Sequence, residues 1–176
     1  GGDTKTLKYT GILTDDLTLT MQYGINESAG STIPEVLVNP VSQEGDIINE
    51  FTANPSIEET ERKLFRADID YYWGDHVFRV GVDSEEYVAF EDTSNAGEGA
   101  FGYDINPTNN TVVRDVYINR GSFKTKSNAW YITDTWQVTD DIVLNLGVRN
   151  DTYESFNVAG ERFIKIDNQL APRIGM

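Results

Sequence analysis

The sequence predicts an all-β fold, an antiparallel up-and-down meander. Two observations carry that reading: a strand-turn-strand signature written twice, and apolar/polar alternation on both sides of every tight turn. The signature is Leu13-Thr14-Asp15-Asp16-Leu17 and again Val138-Thr139-Asp140-Asp141-Ile142. With Thr-Asp-Asp as a three-residue loop, Leu13 meets Leu17, Gly11 meets Leu19, Tyr9 meets Met21 and Leu7 meets Tyr23. One face is then continuously apolar, while Thr18, Thr20, Gln22 and Gly24 lie with Lys8 and Thr10 on the other.

The strands follow in order, near 4–13, 17–25, 62–73, 76–90, 122–138, 142–154 and 163–175, in one segment over 1–176. In the third, Phe65, Ala67, Ile69, Tyr71 and Trp73 alternate with Arg66, Asp68, Asp70 and Tyr72. Gly74-Asp75 then makes a two-residue turn, the glycine tolerating positive φ. The fourth strand returns so that Tyr71 meets Phe78, Ile69 meets Val80 and Ala67 meets Val82, with Arg79, Gly81, Asp83 and Glu85 on the polar side. The strand over 142–154 sets Ile142, Leu144, Leu146 and Val148 against Asn145, Gly147, Arg149 and Asp151.

The connections are asymmetric. Tight turns lie at one end of the strands, and excursions over 26–61 and 91–121 at the other. Residues 26–61 hold eight acidic residues and no Lys, Arg or His, and residues 91–111 hold four acidic residues and again no base. Short periplasmic turns with long extracellular loops are the layout of a transmembrane β-barrel, so the fold expected is a partial transmembrane barrel with long acidic extracellular loops. Keeping the second Thr-Asp-Asp turn on the short-turn side requires residues 112–119 to stay out of the membrane, as a hairpin with 101–105. One position resists. The register set by 138 and 142 puts Asp134 opposite Leu146 on the lipid face, and a β-bulge near Thr135 would turn it inward while sending Tyr131 and Thr133 outward.

Composition narrows the partners. Fourteen Lys plus Arg against 29 Asp plus Glu give a net charge of −15, which argues against nucleic acid as a partner because phosphate binding needs a basic footprint. No cysteine is present, so disulfides, thiolate metal sites and cysteine nucleophiles are excluded. No apolar run approaches the roughly 20 residues of a membrane helix, but membrane strands need only about 9–11 alternating residues. A mean hydropathy of −0.43 suits a membrane barrel and a soluble β-protein equally.

The segment Ala129-Trp130-Tyr131-Ile132-Thr133-Asp134-Thr135-Trp136-Gln137-Val138-Thr139-Asp140-Asp141-Ile142-Val143-Leu144-Asn145-Leu146-Gly147-Val148-Arg149-Asn150-Asp151 resembles the barrel of TonB-dependent outer-membrane receptors. Asn168-Gln169-Leu170-Ala171-Pro172-Arg173-Ile174-Gly175 is similar to the strand start that follows it there. Phe65-Arg66-Ala67-Asp68, His76-Val77-Phe78-Arg79-Val80-Gly81-Val82-Asp83 and Arg120-Gly121-Ser122-Phe123-Lys124-Thr125 resemble the Oar-like, OmpA-related subgroup. The resemblance implies a non-enzymatic transporter segment in the outer membrane of a Gram-negative bacterium. Its implied partners are outer-membrane lipid, the rest of the receptor with its plug domain, and the TonB complex, reached through an N-terminal region not in this sequence. No stretch here resembles a plug or a TonB box. Two alternatives stay open at this point: a soluble acidic β-sandwich acting as a binding module, and a shed extracellular fragment that self-associates into β-rich filaments.

Several residue groups could carry chemistry. His76, the sole histidine, lies beside Trp73 and the Gly74-Asp75 turn and reads as an interfacial residue, since catalysis would need a base or ligand partner. Trp73, Tyr71, Tyr72, Trp130, Tyr131, Trp136, Tyr87 and Phe90 suit the aromatic girdles of a barrel. Arg66, Asp68, Asp70, Arg79, Asp83, Glu85, Arg149 and Asp151 fall on inward faces, where opposite charges pair across strands. In the acidic excursions, Glu44, Asp46, Glu50, Asp92, Asp104, Asn106 and Asn109 are hard oxygen donors of the kind Ca²⁺ takes, although none has EF-hand spacing and a solvated loop explains them equally.

Overall fold

The computed structural model describes residues 1–33, 55–94, 101–106, 108–109 and 111–176. Among these residues nine strands follow in order: β1 (Gly2–Thr14), β2 (Leu17–Thr32), β3 (Ser56–Trp73), β4 (His76–Ser94), β5 (Phe101–Asn106), β6 (Thr111–Val116), β7 (Ile118–Thr139), β8 (Ile142–Phe156) and β9 (Arg162–Gly175). Seven form one open sheet in the order β1-β2-β3-β4-β7-β8-β9, an antiparallel meander. The remaining two, β5 and β6, pair with each other, Phe101 opposite Val116 through Asn106 opposite Thr111. By contact the chain divides into one unit of Gly2–Glu27, Thr60–Val88 and Phe123–Met176 and another of Gly1, Ser28–Glu59 and Ala89–Ser122.

The strands run further than the alternation of their side chains. β2 continues to Thr32, β3 begins at Ser56, and β7 spans 22 residues from Ile118 to Thr139. Apolar alternation is imposed by hydrocarbon and needs only about 9–11 residues, whereas the hydrogen-bond ladder continues in water wherever a neighbour strand is present. The periodic signal therefore stops before the strand does. Ile118 and Asn119 belong to β7 for this reason, and not to the β5–β6 hairpin.

All three hairpin turns at one end of the sheet have two residues: Asp15-Asp16, Gly74-Asp75 and Asp140-Asp141. This corrects the three-residue loop expected from sequence. In the second copy Thr139 pairs with Ile142 and Gln137 with Val143, so Val138 is the extra residue of a bulge at the turn. The threonine has a defined task in both copies, its Oγ1 accepting from the backbone N–H of Asp16 (3.3 Å from Thr14) and of Asp141 (3.4 Å from Thr139). Gly74 sits at φ 57°, where a side chain would be strained. Adjacent hairpins are joined by Tyr72 N–H to Asp16 O and Gln137 N–H to Asp75 O, both 2.9 Å.

The registers read from sequence hold away from the turns. Gly1 and Ala29 exchange backbone hydrogen bonds, and Asn26 donates to Thr4 Oγ1 at 2.6 Å, both pairs in line with the Leu13–Leu17 register. Asp70 faces Arg79 and Asp83 faces Arg66, as the Tyr71–Phe78 register requires. On β9, Asp167 and Asn168 oppose the single residue Thr152, with Asn168 at φ 56°, a conformation asparagine tolerates.

The sheet has two chemically distinct faces. Leu7, Tyr9, Leu13, Met21, Tyr23, Phe65, Ile69, Tyr71, Trp73, Val80, Val82, Trp130, Ile132, Leu146, Leu170 and Ile174 are all exposed on one of them. Among the described residues Ala129 is the only buried apolar side chain. A soluble sandwich would cover this face with a second sheet, whereas Val80 is 51% exposed and Leu146 38%. The sandwich reading is not supported.

Asp134 does face Leu146, and the bulge near Thr135 is absent: pairing runs without interruption from Gln137 to Lys124. Tyr131 and Thr133 accordingly point to the polar face, and Asp134 to the apolar one. One oxygen of the carboxylate finds a partner there, while Oδ1 is buried without one. Asp134 Oδ2 lies 2.9 Å from His76 Nδ1, and the imidazole is stacked among Trp136 (5.1 Å between centroids), Phe78 (5.4 Å) and Trp73 (6.3 Å). This pair sits at the turn end, where a barrel's aromatic girdle meets water, so its polar groups face a milder solvent than hydrocarbon. Losing either partner alone strands the other beside aromatic rings. In lipid vesicles His76→Leu and Asp134→Leu are each expected to destabilise the full-length protein by about 1–3 kcal/mol. The double variant is expected to lose less than the sum, read from urea unfolding midpoints.

Candidate functional site

The polar face of the sheet is organised by forked arginine–carboxylate pairs. Arg66 grips Asp83 through Nε (2.6 Å) and Nη2 (3.0 Å), Arg79 grips Asp70 (2.6 and 2.9 Å), and Arg62 grips Glu85 (2.8 and 2.9 Å). Arg149 extends the lattice across to β8, donating to Asp83 at 2.6 Å and to Asp151 at 2.9 Å. Planar guanidinium matches carboxylate bidentately, which explains why arginine and not lysine holds these positions. Every member of the inward set expected from sequence takes part.

Tyr131 stands at the middle of this lattice. Its hydroxyl donates to Asp68 Oδ1, and the guanidinium carbons of Arg149 and Arg66 lie 5.6 and 6.0 Å from its ring centroid. The ring covers Gly81 so closely that a β-carbon there would collide with both Tyr131 and Asp68. Asp68 and Asp70 are nearly buried under these partners, at 9% and 7% exposure. Arg66, Asp68, Arg79, Tyr131, Thr133, Val148, Arg149 and Arg173 line an open recess of about 180 Å³. Arg173, opposite Gly147, has no ion-pair partner among the described residues. The arrangement supplies a stiff, nearly charge-balanced wall with guanidinium N–H groups directed at whatever occupies the aqueous side.

Tyr131 was expected in the girdle and lies instead in the lattice; the parity it shares with Arg149 in the hairpin register was the available signal. Tyr72 likewise shares the parity of Asp68 and Asp70. Of the residues proposed for calcium, Glu44, Asp46 and Glu50 lie outside the described residues. Asp104 and Asn106 are in β5. Asp92 faces Arg120 at 3.4 Å, and Asn109 Oδ1 accepts from the N–H (3.2 Å) and hydroxyl (2.6 Å) of Thr111. Among the described residues no three acidic or histidine side chains are grouped to hold a metal ion.

A two-faced, seven-stranded meander with this inward lattice is what one wall of a membrane barrel requires, and the model of the outer membrane beta barrel domain matches residues 4–173. The chain belongs to the outer membrane beta barrel domain family. Its location is the outer membrane. Among curated proteins, this outer-membrane barrel segment is 27% identical to the TonB-dependent transporter Oar of Myxococcus xanthus, over 86% of the chain but 16% of that protein. Among solved structures it resembles the copper transporter OprC with a TM-score of 0.52 at 11% identity, covering 98% of this chain and 26% of that one. The latter likeness is one of fold.

The lattice makes two expectations for the barrel segment. Tyr131→Phe removes the donor to Asp68 and is expected to cost about 1–3 kcal/mol in the urea unfolding midpoint of the full-length protein. Gly81→Ala is expected to cost at least as much, because the added methyl displaces the Tyr131 ring and breaks the same hydrogen bond.

Proposed function

We propose that this segment is part of a TonB-dependent receptor that takes up a ligand across the outer membrane. The observation that supports it most is the similarity to Oar over 86% of the chain, a protein named as a TonB-dependent transporter. The polar face is compatible with that role. A channel that must admit a ligand and a plug domain needs a hydrated wall that does not collapse, and forked ion pairs hold such a wall in shape. In this reading the receptor's remaining strands continue the sheet beyond β1 and β9, its plug meets the arginine lattice, and TonB supplies the energy through the plug. The protein is a transporter and performs no covalent chemistry.

The test is depletion of solutes from growth medium by cells with and without the gene for the full-length protein, in TonB-competent and TonB-deficient backgrounds. The expected result is one or more solutes that persist in the medium when either gene is lost. Uptake that depends on this protein but proceeds normally without TonB would overturn the assignment.

A further inference from the structure

The pairing of charges on the inward wall is incomplete at one place, the recess beside Tyr131. Arg66 and Arg79 use Nε and Nη2, and Arg149 uses Nε and Nη1, to hold Asp83, Asp70 and Asp151. A guanidinium carries five N–H donors, so one nitrogen of each arginine is left over. All three arginines line the recess, whereas none of those three carboxylates does. Asp68 is the one acid of the lining among the described residues; it is 9% exposed, and the Tyr131 hydroxyl donates to its Oδ1. Arg173 completes the lining from β9, exposed and without an ion-pair partner among the described residues. The formal charges of this group are even, four arginines against Asp68, Asp70, Asp83 and Asp151. Their accessibility is not. Asp68 and Arg173 are the two members outside any ion pair among the described residues, and the acid is covered while the base is exposed.

The backbone keeps this place clear. Arg173 on β9 and Thr133 on β7 are both opposite Gly147 of β8, one on each side. A β-carbon at Gly147 would stand 2.8 Å from Thr133 Cγ2, so a residue without a side chain leaves Thr133 and Arg173 undisturbed. The Thr133 hydroxyl has no hydrogen-bond partner among the described residues. Gly147 lies six residues beyond Asp141 of the turn. At about 3.3 Å per residue, that sets the recess within the membrane-spanning part of the wall, far from the acidic excursions. Its volume of about 180 Å³ is smaller than the roughly 300–1,000 Å³ of a site that encloses a drug-sized ligand. It therefore takes one functional group and leaves the rest of a molecule in the lumen.

We propose that Arg173, with Thr133 and the spare guanidinium nitrogens of Arg79 and Arg149, binds the carboxylate of a small organic acid passing through the barrel. A planar guanidinium takes a carboxylate edge-on, as Arg66 and Arg79 already do on this wall. One unpaired guanidinium balances one negative charge. A phosphate group brings about −1.5 to −2, more than this recess neutralises. The proposal rests on the receptor reading for the source of the acid: the plug meets the paired part of the lattice, and the recess is left to the solute.

The test uses the full-length protein purified in detergent and butyrate as the probe, with butyramide and inorganic phosphate for comparison. Phenylglyoxal modifies arginine, and mass spectrometry of the digested protein reads Arg173 and Arg162 separately. Butyrate is expected to slow modification of Arg173 but not of Arg162, which holds Glu154 at 2.6 Å. Butyramide is expected to slow neither. In calorimetry Arg173→Gln is expected to weaken butyrate binding roughly tenfold to a hundredfold, with Arg173→Lys between that variant and wild type. Thr133→Val, which keeps the volume and removes the hydroxyl, is expected to weaken it about threefold to tenfold. Equal protection of both arginines, unchanged binding by Arg173→Gln, or phosphate binding as tightly as butyrate would each overturn the site. So would an Arg173 that phenylglyoxal does not reach, since an acid of the receptor itself would then fill the recess. Uptake that proceeds without TonB while butyrate still protects Arg173 removes the receptor reading alone. TonB-dependent uptake without that protection removes the carboxylate site alone.

Discussion

Hydrocarbon offers a peptide group no hydrogen-bond partner, so a strand can cross a membrane only if a neighbour on each side takes up its N–H and C=O groups. That constraint organises this chain. It makes the strands antiparallel neighbours, which permits two-residue turns at one end, and the period of two then assigns alternate side chains to lipid and to water. Every other feature follows from the resulting sidedness. Leu146 and Val80 stay exposed because lipid is their intended environment, and Asp68 and Asp70 are covered by arginine and tyrosine because the opposite face is polar.

Charge is distributed by the same rule. On the inward face the cations are forked onto carboxylates, Arg66 and Arg149 sharing Asp83, which locks neighbouring strands in register as well as neutralising them. On the outward face charged pairs such as Lys124 and Lys126 with Glu86 begin where the apolar residues give way. The exception, Asp134, is instructive. A carboxylate on the apolar face persists because the chain's sole histidine comes within 2.9 Å of it, at the end of the sheet where aromatic rings and water meet.

Much of this was legible in the residues alone. The Tyr71–Phe78 and Leu13–Leu17 registers place Arg79 against Asp70 and Thr4 against Asn26, and the contacts are there. Local alternation carries that information because a slip of one residue would invert both faces. Three things were not legible. Strand ends above the membrane lack the alternation that reveals strands, so β2, β3 and β7 ran longer than expected. The Val138 bulge depends on turn geometry that Thr-Asp-Asp does not specify uniquely. The His76–Asp134 pair joins residues 58 apart through the β4–β7 contact, a pairing across the excursion that no hairpin rule supplies.

Sidedness itself can be measured directly, and this segment holds no cysteine of its own to compete with an introduced one. Single cysteines at 77, 78, 79, 80 and at 143, 144, 145, 146 of the full-length protein, labelled with a fluorophore in vesicles, would be quenched in turn by brominated lipid acyl chains and by an aqueous quencher. The account expects strict alternation, with 78, 80, 144 and 146 quenched by lipid and 77, 79, 143 and 145 by water. Uniform protection of all eight from lipid would contradict it.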